Sequence, residues 1–349
     1  MPRRKLILAT FALLFSTLAC RAATRLVIPD TPTPAPTSTQ TALPTPTLTP
    51  TLPPPTSTAV FEAACPALLA DILEAATASG DNTEEDVFEE ENYLVTYSLD
   101  GDSITDSYFE SVPEELKDEQ KARAVHEAIW DYFTDIIPAE QRAMLREFVI
   151  FTDGNSNYLA AVSQTFTDPN HWALEVDILD SENYYILTST LIHEHGHLLT
   201  LNKGQVPPSL SVFNNPEDEA VYERAVSACP QYFTGEGCSH PDSYINEFFD
   251  RFWLDFYEEW RDIDVIEDED IYFNRLDDFY ETYQDQFLTE YSATSPAEDI
   301  AEAWMLFILS PKPEMNSIAN EKMLFFHEYP ELVQLRQDIL NRICESFPR

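Results

Sequence analysis

The chain has 349 residues, with 62 Asp and Glu against 20 Lys and Arg, for a formal net charge of −42 at pH 7. A field of that sign repels phosphate backbones and anionic headgroups, which excludes nucleic acid and bare anionic membrane surfaces as partners. Most of the acids read as a solubilising shell, and the run Asp81–Glu91 as a solvated loop or helix edge.

Met1–Cys20 reads as an export signal. Arg3, Arg4 and Lys5 precede an apolar stretch, Leu6–Leu18, and a small residue stands before Cys20. The stretch is shorter than the ~20 residues a membrane-spanning helix needs. Leu18-Ala19-Cys20 resembles the lipobox of bacterial lipoproteins, although Thr17 stands where that family usually has an aliphatic residue. The resemblance implies a lipid on Cys20 and attachment to the membrane through it, whereas ordinary cleavage would release a secreted protein. Either route leaves the chain outside the cytoplasm. Residues 21–59 read as a tether, because Pro29–Thr58 is almost wholly Thr, Pro, Ser and Ala. Such a tract buries no core and favours polyproline II geometry. At ~3.1 Å per residue it would hold a domain on the order of 90 Å from its anchor.

Residues 60–349 form the folded part. Apart from Cys20, the cysteines are Cys65, Cys229, Cys238 and Cys344, an even number that suits disulfides in an exported chain. Of the three possible connectivities, Cys229–Cys238 closes a short loop and Cys65–Cys344 staples the two ends. A four-cysteine zinc site is disfavoured, since no Cys-x-x-Cys pair occurs.

In chain order, the patterning predicts a helix over Ala63–Ala78, stopped by Ser79-Gly80, and a strand over Tyr93–Leu99. A long helix follows over Glu114–Ile137, closed by Pro138. Three β-type runs come next: Phe148–Phe151, Tyr158–Phe166 and Trp172–Leu179, with turn chemistry at Asp153-Gly154-Asn155 and Asp168-Pro169-Asn170. Tyr184–Leu201 is helical. Further helices are expected over Glu217–Ala228, Ser243–Trp260, Ile271–Glu290, Pro296–Leu309 and Leu332–Ser346, the fourth with Ser295 as cap and Pro296 at its first position. The order implies an α+β fold, with a small mixed or antiparallel sheet and a mostly helical C-terminal half. The aromatic residues Phe248, Phe249, Phe252, Trp253, Phe256 and Tyr257 read as core rather than as a cofactor site.

The chemistry concentrates in His193-Glu194-His195-Gly196-His197. Residues four apart share a helix face, so His193 and His197 can meet one metal ion, while Glu194 sits beside them to act on water rather than on the metal. His195 points elsewhere and reads as structural or as a support to the metal ligands. A catalytic zinc needs a third protein ligand. A metzincin would require Gly and His where Thr200 and Lys203 stand, leaving Glu217 and Glu298 as candidates.

The segment Glu298-Asp299-Ile300-Ala301-Glu302-Ala303, with Tyr291 seven residues upstream, resembles the third-ligand helix of the anthrax lethal factor type of zincin metallopeptidase. The resemblance covers only the two motif helices, and the stretch between His197 and Glu298 is longer than that family's. It implies a zincin-like domain, a Zn²⁺ cofactor, Glu298 as third ligand and Tyr291 as the hydroxyl that stabilises the transition state. The spacing of Glu298 and Glu302 also allows both to face the metal helix, with Glu302 hydrogen-bonding a ligating histidine. The expected activity is peptide-bond hydrolysis outside the cytoplasm, with Glu194 as general base. An extended peptide or protein substrate could pair with the run 158–166 or 172–179 as an edge strand. The competing reading is an inactive zincin-like lipoprotein that binds at the surface, for which a general base at Glu194 would be superfluous. A third is an envelope protein with incidental histidines.

Overall fold

The computed structural model describes residues 65–79, 92–154 and 158–348. The export signal, Cys20, the Thr/Pro tract and the acidic run 81–91 lie outside them. The architecture is α+β, a five-stranded mixed sheet followed by a helical rear half.

Strand β1 (Asn92–Asp100) turns at Gly101, φ 60°, into β2 (Ser103–Phe109). That positive φ is cheap only for glycine. Sequence patterning misses β2, because it buries a single residue, Ile104, and so shows no apolar alternation. The expected helix Glu114–Ile137 divides at Ala122 into Lys117–Lys121 and Arg123–Ile136. Near the break, the Glu119 carbonyl meets Nε2 of buried His126 at 2.9 Å, and the Tyr97 hydroxyl meets its Nδ1 at 2.8 Å.

Strands β3 (Leu145–Thr152), β4 (Ala160–Thr165) and β5 (Asp168–Asp177) complete a sheet of order β2-β1-β3-β5-β4. The β3–β5 pair is parallel and the other pairs antiparallel. The β4–β5 turn lies at Phe166-Thr167, so Asp168-Pro169-Asn170 opens β5 instead of forming the turn. Only β4 can therefore offer an edge on this side. β5 is interior and buried from Trp172 to Asp177, which removes the run 172–179 as a docking edge.

Where β3 and β5 end, Asp153, Asp177 and Asp180 converge. Burial first, then the Asp177 charge, pushes Asp153 up to about 7. Burial pushes Asp180 up to about 6 and raises Asp177 as well.

In the rear half the expected helix Ser243–Trp260 splits into Tyr244–Phe252 and Tyr257–Asp264. The break places Trp253 inside the protein, where its Nε1 donates to Asp299 Oδ2 at 2.7 Å. The helix expected over Ile271–Glu290 spans Glu269–Tyr283, and a helix absent from the sequence reading spans Ile318–Phe325. The aromatic run is core: Phe248, Phe249, Phe252, Trp253 and Phe256 are all buried. Both disulfides pair as the spacing suggested, Cys65–Cys344 across 279 positions and Cys229–Cys238 across 9. Disulfides suit an oxidising, extracytoplasmic compartment. Among the described residues no helix is long and apolar enough to cross a membrane.

Candidate metal centre

The motif helix, Tyr184–Leu201, is capped at both ends by asparagines. The Asn183 side chain accepts from Tyr185 N at 3.1 Å, and Asn202 Nδ2 donates to the Leu198 and Leu199 carbonyls at 2.9 and 3.0 Å. From Leu191 to Leu201 every residue is buried. The helix packs against Pro66–Ser79, against Pro296–Leu309 and against edge strand β4. Gly196 sets its distance from the second of these. A Cβ there would stand 3.0 Å from Ala301 Cα and 3.2 Å from Trp304 Cδ1, so the helices cross where neither side chain can grow. Gly196→Ala should destabilise the protein by about 1–3 kcal/mol through overpacking. It should also weaken metal binding by separating the histidines from the opposing carboxylate. Urea unfolding and zinc titration of the variant check both effects.

Ser295 caps the partner helix by accepting from Glu298 N at 3.0 Å, with Pro296 in its first turn. That places Glu298 one helical turn before Glu302, opposite the histidines. His193 Nε2 lies 3.1 Å from His197 Nε2 and 3.0 Å from Glu298 Oε2, and His197 Nε2 lies 3.3 Å from the same oxygen. Donors on a tetrahedral zinc with bonds of ~2.0–2.1 Å stand roughly 3.3 Å apart, so two nitrogens and one oxygen are already spaced as a metal ion would hold them. The group can hold a metal ion. Glu302 Oε1 accepts from His193 Nδ1 at 2.8 Å, leaving Nε2 as the bare lone pair that faces the other donors. Thr289 Oγ1 in turn donates to Glu302 Oε2 at 2.8 Å. Glu217 is exposed and lies outside this group.

Burial alone would depress both histidines, but contacts with Glu298, and for His193 with Glu302, outweigh it and raise them. Burial would raise Glu298, yet the charges of His197 and His193 and their hydrogen bonds hold it far below the usual carboxylate range. Glu298 therefore stays ionised at all working pH values, and the protons that compete with a metal reside on the imidazoles. Apparent zinc affinity should fall by about tenfold or more per pH unit on acidification from pH 8 to 6, as protons reoccupy the nitrogens. Competition with a chelating dye at constant ionic strength measures the slope. Affinity that rises or stays level on acidification would contradict this reading.

Glu194 is buried beside the trio. Burial raises its carboxyl, while His197, His193 and the backbone N–H of Val162 in β4 favour its charged form. Tyr291 sits in a short turn before the glutamate helix, its ring centroid 5.8 Å from that of His193, with 53% of its surface exposed. Desolvation and the charges of Glu298 and Glu194 lift its phenol above the ordinary range, so it remains protonated. His195 faces away and accepts from Trp304 Nε1 at 3.2 Å, and burial lowers it to about 3. It is a neutral packing residue.

Sequence reasoning missed three neighbours. Val162 reaches Glu194 through its backbone, which has no residue signature. Thr289 acts through a turn whose shape depends on the helices it joins. Glu236 is carried in by the Cys229–Cys238 loop, where burial raises its carboxyl and it feels the charges of His197 and Glu298. No protein-family model matches this chain, and neither a curated protein nor a solved structure matches it.

Proposed function

We propose that the protein is a zinc-dependent peptidase of the zincin type that acts outside the cytoplasm, tethered to the membrane through a lipid on Cys20. The observation that carries this reading is the convergence of His193 Nε2, His197 Nε2 and Glu298 Oε2 within 3.3 Å, with the buried carboxylate of Glu194 alongside. A zinc ion in that group would supply Lewis acidity to a scissile carbonyl and to an attacking water.

The chain's own residues supply the rest. Glu194, held by the Val162 N–H and raised by burial, takes a proton from the attacking water and returns it to the leaving amine. Tyr291, protonated and beside His193, donates to the developing oxyanion, a contact worth on the order of 2–4 kcal/mol when aligned. Glu302 and Thr289 keep His193 in the required tautomer and orientation. Edge strand β4 runs beside the motif helix, so an extended peptide paired to it would pass the site.

The test is zinc stoichiometry of the purified full chain together with hydrolysis of extended peptide libraries. One zinc per chain and cleavage abolished by a chelator and restored by zinc are expected. A protein that takes up no zinc on reconstitution sinks the proposal. One that holds zinc but cleaves no peptide leaves the surface-binding reading in its place.

A further inference from the structure

We propose that Asp153, Asp177 and Asp180 form a second, all-oxygen cation site for a hard divalent ion of the calcium type, at the root of the edge strand and the motif helix. This inference is independent of the peptidase reading. One carboxylate oxygen from each residue lies within 4.8 Å of the other two. Asp153 is 4% exposed and Asp177 fully buried. Asp153 Oδ1 and Asp180 Oδ2 are buried and without a hydrogen-bond partner among the described residues.

Backbone N–H groups anchor two of the three carboxylates, those of Asp153 and Asp177. Tyr158 N donates to Asp153 Oδ2 at 3.3 Å, which leaves Oδ1 bare. Asp177 accepts from Asp153 N at 2.9 Å and from Leu179 N at 2.6 Å, and its side chain also meets those of Thr152 and Asp153. Among the described residues no Lys, Arg or His forms an ion pair with any of the three. The contrast with Asp299 is instructive: that buried carboxylate is matched by the buried Lys322 at 2.6 Å. Three clustered carboxylates with two buried oxygens that accept no N–H or O–H hold either shared protons or a cation, and the charge they would otherwise bury unmatched favours the cation.

Oxygen donors without nitrogen or sulfur select a hard cation over zinc. Calcium accepts irregular sets of six to eight oxygens, filled out by carbonyls and water, whereas magnesium demands a near-ideal octahedron. The donors here come from strand ends and a turn, which suits the irregular case. Asp153 follows β3 directly, Asp177 ends β5, and Asp180 opens the turn Asp180–Glu182 that leads to Asn183, the cap of the motif helix. An ion there would clamp two parallel strands to the start of the helix that carries His193 and His197.

The experiment titrates calcium alone into the chelator-stripped full chain, by calorimetry and by thermal unfolding, for the wild type and Asp180→Asn. The half-buried Asp180 is the substitution that least disturbs the core, and a cooperative thermal transition of the variant without calcium reports that it is folded. One calcium per chain with a Kd of about 0.1–1 mM, in the range of extracellular modules, and a raised melting temperature are expected. Asp180→Asn should weaken that binding at least tenfold while its calcium-free unfolding transition stays cooperative. Absence of heat and of a thermal shift up to about 10 mM calcium would overturn the proposal and mean that the acids share protons instead. Equal binding by Asp180→Asn would also overturn it, since the ion would then be held by the diffuse acidic surface.

Discussion

Glu298→Ala should strip the metal from the protein, whereas Glu194→Gln should keep the metal and lose the chemistry. Among the described residues Glu298 contributes the only carboxylate oxygen within 3.3 Å of both histidine nitrogens, and its removal leaves two imidazoles, one ligand short of a catalytic zinc site. Loss of a hydrogen-bonding partner of a ligand typically costs 10–100-fold in affinity, so loss of the ligand itself should exceed roughly 100-fold. Zinc content after dialysis reads this directly. Glu194 touches none of the three donors through a direct bond, and glutamine there keeps the shape while removing the base. Peptide hydrolysis should fall by about 10²–10⁴-fold at unchanged zinc stoichiometry. Zinc retained by Glu298→Ala would move the third ligand elsewhere, and full hydrolysis by Glu194→Gln would remove the base from its role.

Lys322→Ala should be the most destabilising single change away from the centre. Lys322 and Asp299 are both fully buried, their charged atoms 2.6 Å apart, and the Lys322 ammonium lies 4.3 Å from the Phe287 ring centroid. Burial pushes Asp299 up and Lys322 down, each toward its neutral form, and their mutual attraction opposes both shifts. Removing the lysine strands a carboxylate whose Oδ1 already lacks a partner. The cost should be about 3–5 kcal/mol, lowering the melting temperature by roughly 10 °C. Because Asp299 adjoins Glu298, zinc binding should weaken as well. The double change Lys322→Met with Asp299→Asn should recover most of the stability, since it deletes the charge imbalance rather than one side of it. A loss below about 1 kcal/mol in Lys322→Ala, by urea unfolding, would show that the pair is dispensable.

The legible features share a cause, which is that short-range chemistry carried them. The spacing of His193 and His197 puts two imidazoles on one face of any helix, and Ser295-Pro296 starts the glutamate helix wherever that helix lies. An even number of cysteines, Cys20 aside, called for disulfides, and only two of the four could close a short loop. The α+β order likewise followed from the periodicity.

What patterning could not reach were features set by contacts distant in sequence. Strand β2 has too little burial to show a period, and only its turn at Gly101 betrays it. The helix breaks at Ala122 and Trp253 answer to His126 and Asp299, partners that become neighbours only on folding. By itself the sequence determined which side chains have metal chemistry and which of them share a helix face. The tertiary structure brings Glu298, and not Glu217, beside the two histidines, because a candidate third donor depends on which carboxylate is carried within about 3 Å of the first two. That placement depends on the close crossing at Gly196 and Ala301, where the absence of a side chain lets the two helices meet.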